Sequence, residues 1–254
     1  MELADRLDAF NLSLDSIAQR GEILNQLNLS PGETVVDLGC GLGYLCKSMA
    51  EKVGKTGHVT GIDIASDLVD LATARNECRW LSYKVGDAMT LTEMNSTFEV
   101  AACVQVLEYL PRVDSAIAEL FRVLAPKGRA VIVATDWDAV IWHSDQPTRM
   151  KAVMAAWRRH CYDAQLPRTV SRKLRTAGFR IEAVSAFPIL NLDFQPGRYS
   201  YGLAEVIGDF VLGRQLISTD VHRAWVSDLE TLDADGRYFF QSNRIIFRIS
   251  KTSN

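Results

Sequence analysis

The chain has 254 residues, 48% of them hydrophobic and 23% charged, the composition of a globular protein and not of a disordered one. Its formal net charge of −3 lacks the basic excess of a general nucleic-acid binder, and its length allows one domain, or one domain with a cap. No apolar run approaches the roughly 18 residues of a membrane span. The opening Met1-Glu2-Leu3-Ala4-Asp5 has neither the basic nor the apolar region of a secretion signal. The five cysteines (40, 46, 78, 103, 161) form no C-x-x-C pair. They are expected as reduced thiols in a cytoplasmic protein, with no structural metal.

In chain order, residues 13–27 read as an amphipathic helix that stops at Ser30-Pro31-Gly32. Thr34 to Leu38 is a buried strand, and a helix with Leu45, Met49 and Val53 on one stripe leaves the loop Gly39-Cys40-Gly41-Leu42-Gly43. Residues 58–64 form a second strand, and Ser66 is the expected cap of a helix to about Arg75. Residues 80–85 and 98–105 are the third and fourth strands. Val113, Ile117, Leu120 and Leu124 mark a helix that Pro126-Lys127-Gly128 ends, and 129–135 is the fifth strand. Such alternation predicts a parallel sheet with helices on both faces. Further on come helices at 148–162 and 170–177, strands at 179–187 and 243–250, and between the two strands about 50 residues with helical patterns at 199–213 and 219–232. An insert that long is no ordinary loop. Residues 136–168 and 190–236 are read as a lid over the site, with 1–30 as an N-terminal helical segment of a single domain.

Ligands of open parallel sheets bind beyond the carboxyl ends of the strands. The three glycines 39, 41 and 43 let backbone approach a ligand there. Asp63 ends the second strand 20 residues after Gly43 and can accept from a ribose diol. Asp87, after the third strand, can accept from an exocyclic amine. A dinucleotide site wants G-x-G-x-x-G, whereas here Tyr44 stands at the last glycine position. With Asp37 at the strand end, the loop suits a cofactor with no phosphates and an amino-acid tail.

The run Val35 to Gly43 closely resembles the first motif of class I S-adenosylmethionine (SAM)-dependent methyltransferases. Gly61-Ile62-Asp63-Ile64, Gly86-Asp87-Ala88 and Arg122 to Gly128 resemble its later motifs in the right order. The likeness is to small-molecule enzymes such as those of ubiquinone and menaquinone biosynthesis. It implies a Rossmann-like α/β fold with a seven-stranded, mostly parallel sheet. It also implies that Gly39, Gly41 and Gly43 line the methionine moiety, that Asp37 supports the loop and that Asp63 holds the ribose. Ile64, Asp87 and Ala88 would meet the adenine, Val104 and Gln105 would face the methionine part, and Arg20 would meet its carboxylate.

Methyl transfer is an in-line displacement with an activated leaving group, so positioning is the main task and a general base is an addition. Glu108 and His143 are the candidate bases, although relatives carry His near the place of Glu108. Trp137 and Trp142 offer flat faces to a ring substrate; Arg168 and Tyr199 are further candidate substrate contacts. Residues 149–180 hold nine Lys or Arg against one acid, Asp163. That basic face allows an RNA methyltransferase, or else is a solvated helix pair. The expectation is SAM-dependent methylation of O, N or C of a small, cyclic metabolite by a monomer or homodimer. An RNA substrate or a non-catalytic SAM-binding protein are the alternatives.

Overall fold

A computed structural model describes residues 3–252; residues 1–2 and 253–254 of the expected domain lie outside the described residues. Helices α1 (Leu3–Asn11) and α2 (Leu14–Leu27) lead into strand β1 (Thr34–Leu38). Then follow α3 (Tyr44–Val53), β2 (His58–Asp63), α4 (Ser66–Ala74), β3 (Leu81–Val85), β4 (Phe98–Val104), α5 (Val113–Val123) and β5 (Leu124–Thr135). The later part holds β6 (Ile141–Trp142), α6 (Pro147–Trp157), α7 (Val170–Thr176), β7 (Phe179–Asn191), α8 (Tyr199–Gly213), α9 (Thr219–Ala234) and β8 (Phe240–Lys251).

Strands β3-β2-β1-β4-β5 lie side by side in parallel. β8 runs antiparallel to β5 along one edge and to β7 along the other. The two-residue β6 continues beyond β5 by pairing with Phe240 and Gln241. The seven expected strands are present, with β6 as an eighth that no periodicity in two residues could reveal. Strand order reverses between β1 and β4, the switch point at which open sheets bind ligands.

Both faces of the sheet are covered, which is why its central strands read as unbroken apolar runs. α5 buries Val113, Ala116, Ile117, Leu120 and Val123, a helical stripe, on one face. α2 and α3 cover the other with Ile23, Leu27, Met49 and Val53. α2 starts at the Ser13 cap, whose hydroxyl accepts from the Ser16 amide, and ends at Asn28 with φ 48°. Ser66 is not a cap: the helix begins with it, and the Asp63 carboxylate takes the Ala65 amide instead. Pro126-Lys127-Gly128 bulges within β5, so that Leu124 pairs with Phe98 while Arg129 pairs with Val100.

The expected lid is a packed cap with a core of its own. Trp142, Trp157, Tyr199, Ile207, Val211, Trp225 and Leu229 are buried in it, beside the extended ends of β7 and β8. The rings of Trp142 and Trp225 meet edge to face at 5.4 Å, and those of Trp142 and Phe240 at 4.8 Å. Strands β7 and β8 outrun the predicted ranges at their inner ends, by residues 188–191 and 240–242, which pair to carry this cap. Tyr201, Phe210 and Tyr238 pack into the same cluster and do not line the crevice. Trp225→Ala removes the largest fully buried side chain of the cap. Stability in urea unfolding is expected to drop by about 3–5 kcal/mol; an unchanged midpoint would contradict this core.

Candidate active site

Two cavities meet at the switch point, sharing Gly39 after β1 and Gln105 after β4 as common wall. The larger, about 350 Å³, lies toward β2 and β3 and is lined by Asp63, Ile64, Asp87 and Ala88 together with Val106 and Tyr109. The smaller, about 180 Å³, is lined by Asp37, Gly41, Val104, Arg20 and Tyr199, and also by Phe10, Gln19, Tyr44 and Arg244.

Asp63 holds the first loop to the second. One carboxylate oxygen accepts from the Gly41 amide at 2.8 Å and the other from Ala65 at 3.0 Å. Each oxygen keeps acceptor capacity for a diol. Ile64 next to it is 70% exposed, an apolar side chain offered at the cavity rim. Asp87 is turned by its own bond from the Met89 amide at 2.8 Å.

The glycines divide by cause. A Cβ on Gly39 (φ +75°) would sit 2.1 Å from Val106 Cγ2, and one on Gly43 (φ +79°) 2.2 Å from the Tyr83 hydroxyl. These two are glycine because protein packs against them, and Gly43 lines neither cavity. Gly41 (φ +51°) would meet nothing within 4 Å, so its missing side chain opens onto the smaller cavity.

Asp37 is 2% exposed and its described partner is the Cys46 thiol, which donates at 3.2 Å. Burial raises its pKa to about 7; the thiol lowers it and the Asp63 charge raises it. A buried carboxylate with spare acceptor sites beside an open cavity suits a cationic ligand group. Arg20 leans over the Tyr44 ring at 5.2 Å and donates to the Asn11 carbonyl at 2.7 Å, so it stands at the cavity wall rather than in solvent.

The candidate bases fare differently. Glu108 is fully buried behind the crevice and lines neither cavity. Its Oε1 accepts from the Thr135 amide at 3.2 Å, and Oε2 has no hydrogen-bond partner. Burial raises its pKa to about 7, against the lowering pull of backbone donors and of the Arg244 charge. His143 is misplaced by the sequence reading. Its amide binds Phe239, its ring lies 3.9 Å from Asp145, and it lines a separate surface depression with Trp142. The turn after β5 carries it away because β6 pairs with β8. Trp142 packs into the cap core and Trp137 is buried edge-on against Trp157 at 5.6 Å, and neither lines the crevice. Arg168 does not reach inward: Asp136 takes it in a two-pronged ion pair at 2.6 and 3.1 Å. Of the substrate candidates, Tyr199 alone lines the crevice. Four of the nine basic residues of that stretch hold ion pairs, Arg168 as above, Arg158 with Asp138, Lys173 with Asp114 and Arg180 with Glu182.

Phe10, Gln19 and Arg244 are among the wall residues that the sequence does not point out. Phe10 lies on α1, a helix too polar in sequence to stand out. Gln19 is on the buried side of α2. Arg244 shares the face of Ile246 within β8; that alternation is the signal that points to it.

The model of a family described as a methyltransferase domain matches residues 29–180, more than half of the chain. The chain is 32% identical over 187 residues to an uncharacterized 37.1 kDa protein in a transposon of Streptomyces fradiae, covering 71% of this chain and 53% of that one. It is 32% identical over 120 residues to the demethylmenaquinone methyltransferase of Lactobacillus johnsonii, covering 46% and 49%. The chain thus spans about half the length of these relatives. The Haemonchus contortus phosphoethanolamine N-methyltransferase 2, solved with S-adenosyl-L-methionine, superposes with a TM-score of 0.60 at 16% identity, covering 93% of this chain and 53% of that chain. The fold is therefore the Rossmann-like one of class I methyltransferases. The chain belongs to the methyltransferase domain family.

Asp37 and Glu108 both hold protons in the folded state that the unfolded chain gives up at ordinary carboxylate pH. Their contribution to stability is complete below the unfolded pKa values and is lost as pH rises to about 7. Glu108→Gln is therefore expected to lose less melting temperature than the parent between pH 5 and pH 8. Parallel melting curves for the two at both pH values would refute the buried proton.

Proposed function

We propose that this chain binds S-adenosyl-L-methionine across the β1/β4 crevice and transfers its methyl group to a small molecule. The observation that supports the reading is a pair of adjoining cavities at the switch point, one lined by a diol-accepting carboxylate, Asp63, and the other by a buried carboxylate, Asp37. Family membership supports it. Asp63, Ile64, Asp87 and Ala88 would hold the adenosine half; Asp37, Gly41, Gln105 and Arg20 would hold the amino-acid half. The open space before Gly41 is where backbone can approach that tail.

When bound, the cofactor supplies a methyl group on a positively charged sulfur that departs as a neutral thioether. What the chain adds is alignment and dryness, which can be worth roughly 7–11 kcal/mol. Neither Glu108 nor His143 faces the crevice, so no base catalysis is assigned to them. Glu108 instead fixes the β4 and β5 ends by taking the Thr135 amide, and its main-chain oxygen takes the Tyr162 and Asp163 amides. The free thiols of Cys40, Cys46, Cys78, Cys103 and Cys161 are in keeping with a reducing, cytoplasmic setting. Among the described residues no helix is long and apolar enough to cross a membrane.

Titration calorimetry with SAM, S-adenosyl-L-homocysteine and NAD tests the reading: the first two are expected to bind and NAD is not. Asp63→Ala is expected to weaken SAM by about 1.5–3 kcal/mol for each hydrogen bond lost. A fall of less than twofold would remove Asp63 from the site. A cation beside Asp37 favours its charged form, so SAM affinity is expected to rise with pH up to about 7 and then level off. Asp37→Asn is expected to flatten that rise.

A further inference from the structure

Arg244 is the one fully buried cation among the described residues. Its guanidinium is held by neutral groups alone. Nε donates to Gln19 Oε1 at 3.0 Å, Nη1 donates to the Thr135 hydroxyl, and Nη2 to the Tyr199 hydroxyl. A guanidinium has five N–H groups, so two remain without a partner among the described residues. No carboxylate there lies within ion-pair distance of it. Glu108 feels its charge but makes no hydrogen bond with it. Leaving such a charge unpaired in the interior is costly unless something completes it, and Arg244 lines the smaller cavity.

Its backbone stands apart from that of Asp37, although both residues line the smaller cavity. Register places Asp37 level with Ala102, Val131 and Arg248 across β4, β5 and β8. The Arg244 backbone is level with Thr135 instead. It therefore lies four residues further toward the carboxyl edge, about 13 Å, and three strands across, about 14 Å. The side chain spans back over Tyr199, whose ring lies 4.8 Å below the guanidinium, with Phe10 packed on Tyr199 at 4.8 Å. A fork of free N–H groups beside aromatic rings is a receptor for a planar anion on an apolar frame.

We infer that Arg244 binds an anionic group of the methyl acceptor, so that the acceptor is an organic acid with a carboxylate and not a neutral metabolite. The inference rests on the methyl-transfer reading above. Benzoate is a suitable probe, with neutral benzamide as its control, each titrated into the protein saturated with S-adenosyl-L-homocysteine. Benzoate is expected to bind at least tenfold tighter than benzamide. Arg244→Gln is expected to abolish that preference while leaving S-adenosyl-L-homocysteine affinity within twofold, and Arg244→Lys to keep part of it. A guanidinium that merely ties α2, β5 and α8 together would give no preference for the charged probe. Equal binding of the two probes, or none, overturns the inference. So does a tenfold loss of S-adenosyl-L-homocysteine binding in a folded Arg244→Gln, which would give the fork to the cofactor's own carboxylate. The probe comparison uses the unaltered chain, so it decides even where a variant fails to fold. Failure of the parent chain to bind S-adenosyl-L-homocysteine would instead refute the methyl-transfer reading.

Discussion

Parallel strands can be joined only by crossovers, and the chain here runs outward from β1 to β3 before returning to lay β4 on the other side of β1. Two loops that leave neighbouring strands in opposite directions cannot fill the space between them. That vacancy organises the site. Gly39 is pressed against Val106 because the two loops touch at the base of the crevice. Gln105 takes a positive φ of 53° there, its amide tied back to Val133. The acids that line the crevice are set by the same constraint, each standing at or just past the carboxyl end of a parallel strand.

The interior near this crevice is unusually rich in groups that water would normally serve. Asp37, Glu108, Thr135, Gln19 and Arg244 are all buried. Two carboxyls keep their protons longer than usual, and one cation is solvated by an amide and two hydroxyls. Hydrophobic side chains of like volume would stabilise such a core at least as well. The polar set is intelligible as preorganised solvation for a charged guest, since dipoles fixed in advance need no rearrangement when the charge arrives.

The motif half of the molecule was legible in the sequence because its information is local. A glycine loop, an acid 20 residues on and a strand–helix alternation point to a parallel sheet with a site at its strand ends without knowledge of distant contacts. The cap was not legible for the opposite reason. Trp142 and His143 follow β5 in the chain, but the two-residue pairing of β6 with Gln241 and Phe240 turns them aside. Arg168 has the chemistry of an inward-reaching cation and is claimed by Asp136, 32 positions away. Arg244 lies 225 positions from Gln19, its partner, so no window of sequence could join them. At two of the three glycines packing adds a requirement that local sequence does not display, Val106 against Gly39 and Tyr83 against Gly43.

β8 is threaded between two strands made before it, β5 on one side and β7 on the other. Until residues 240–251 emerge from the ribosome, both of those edges stand open, and each is a template for pairing with another chain. The nascent protein therefore passes through a period in which a nearly complete sheet has an unsealed seam. Its yield in a cell depends on how fast β8 arrives, and on what shields the seam meanwhile.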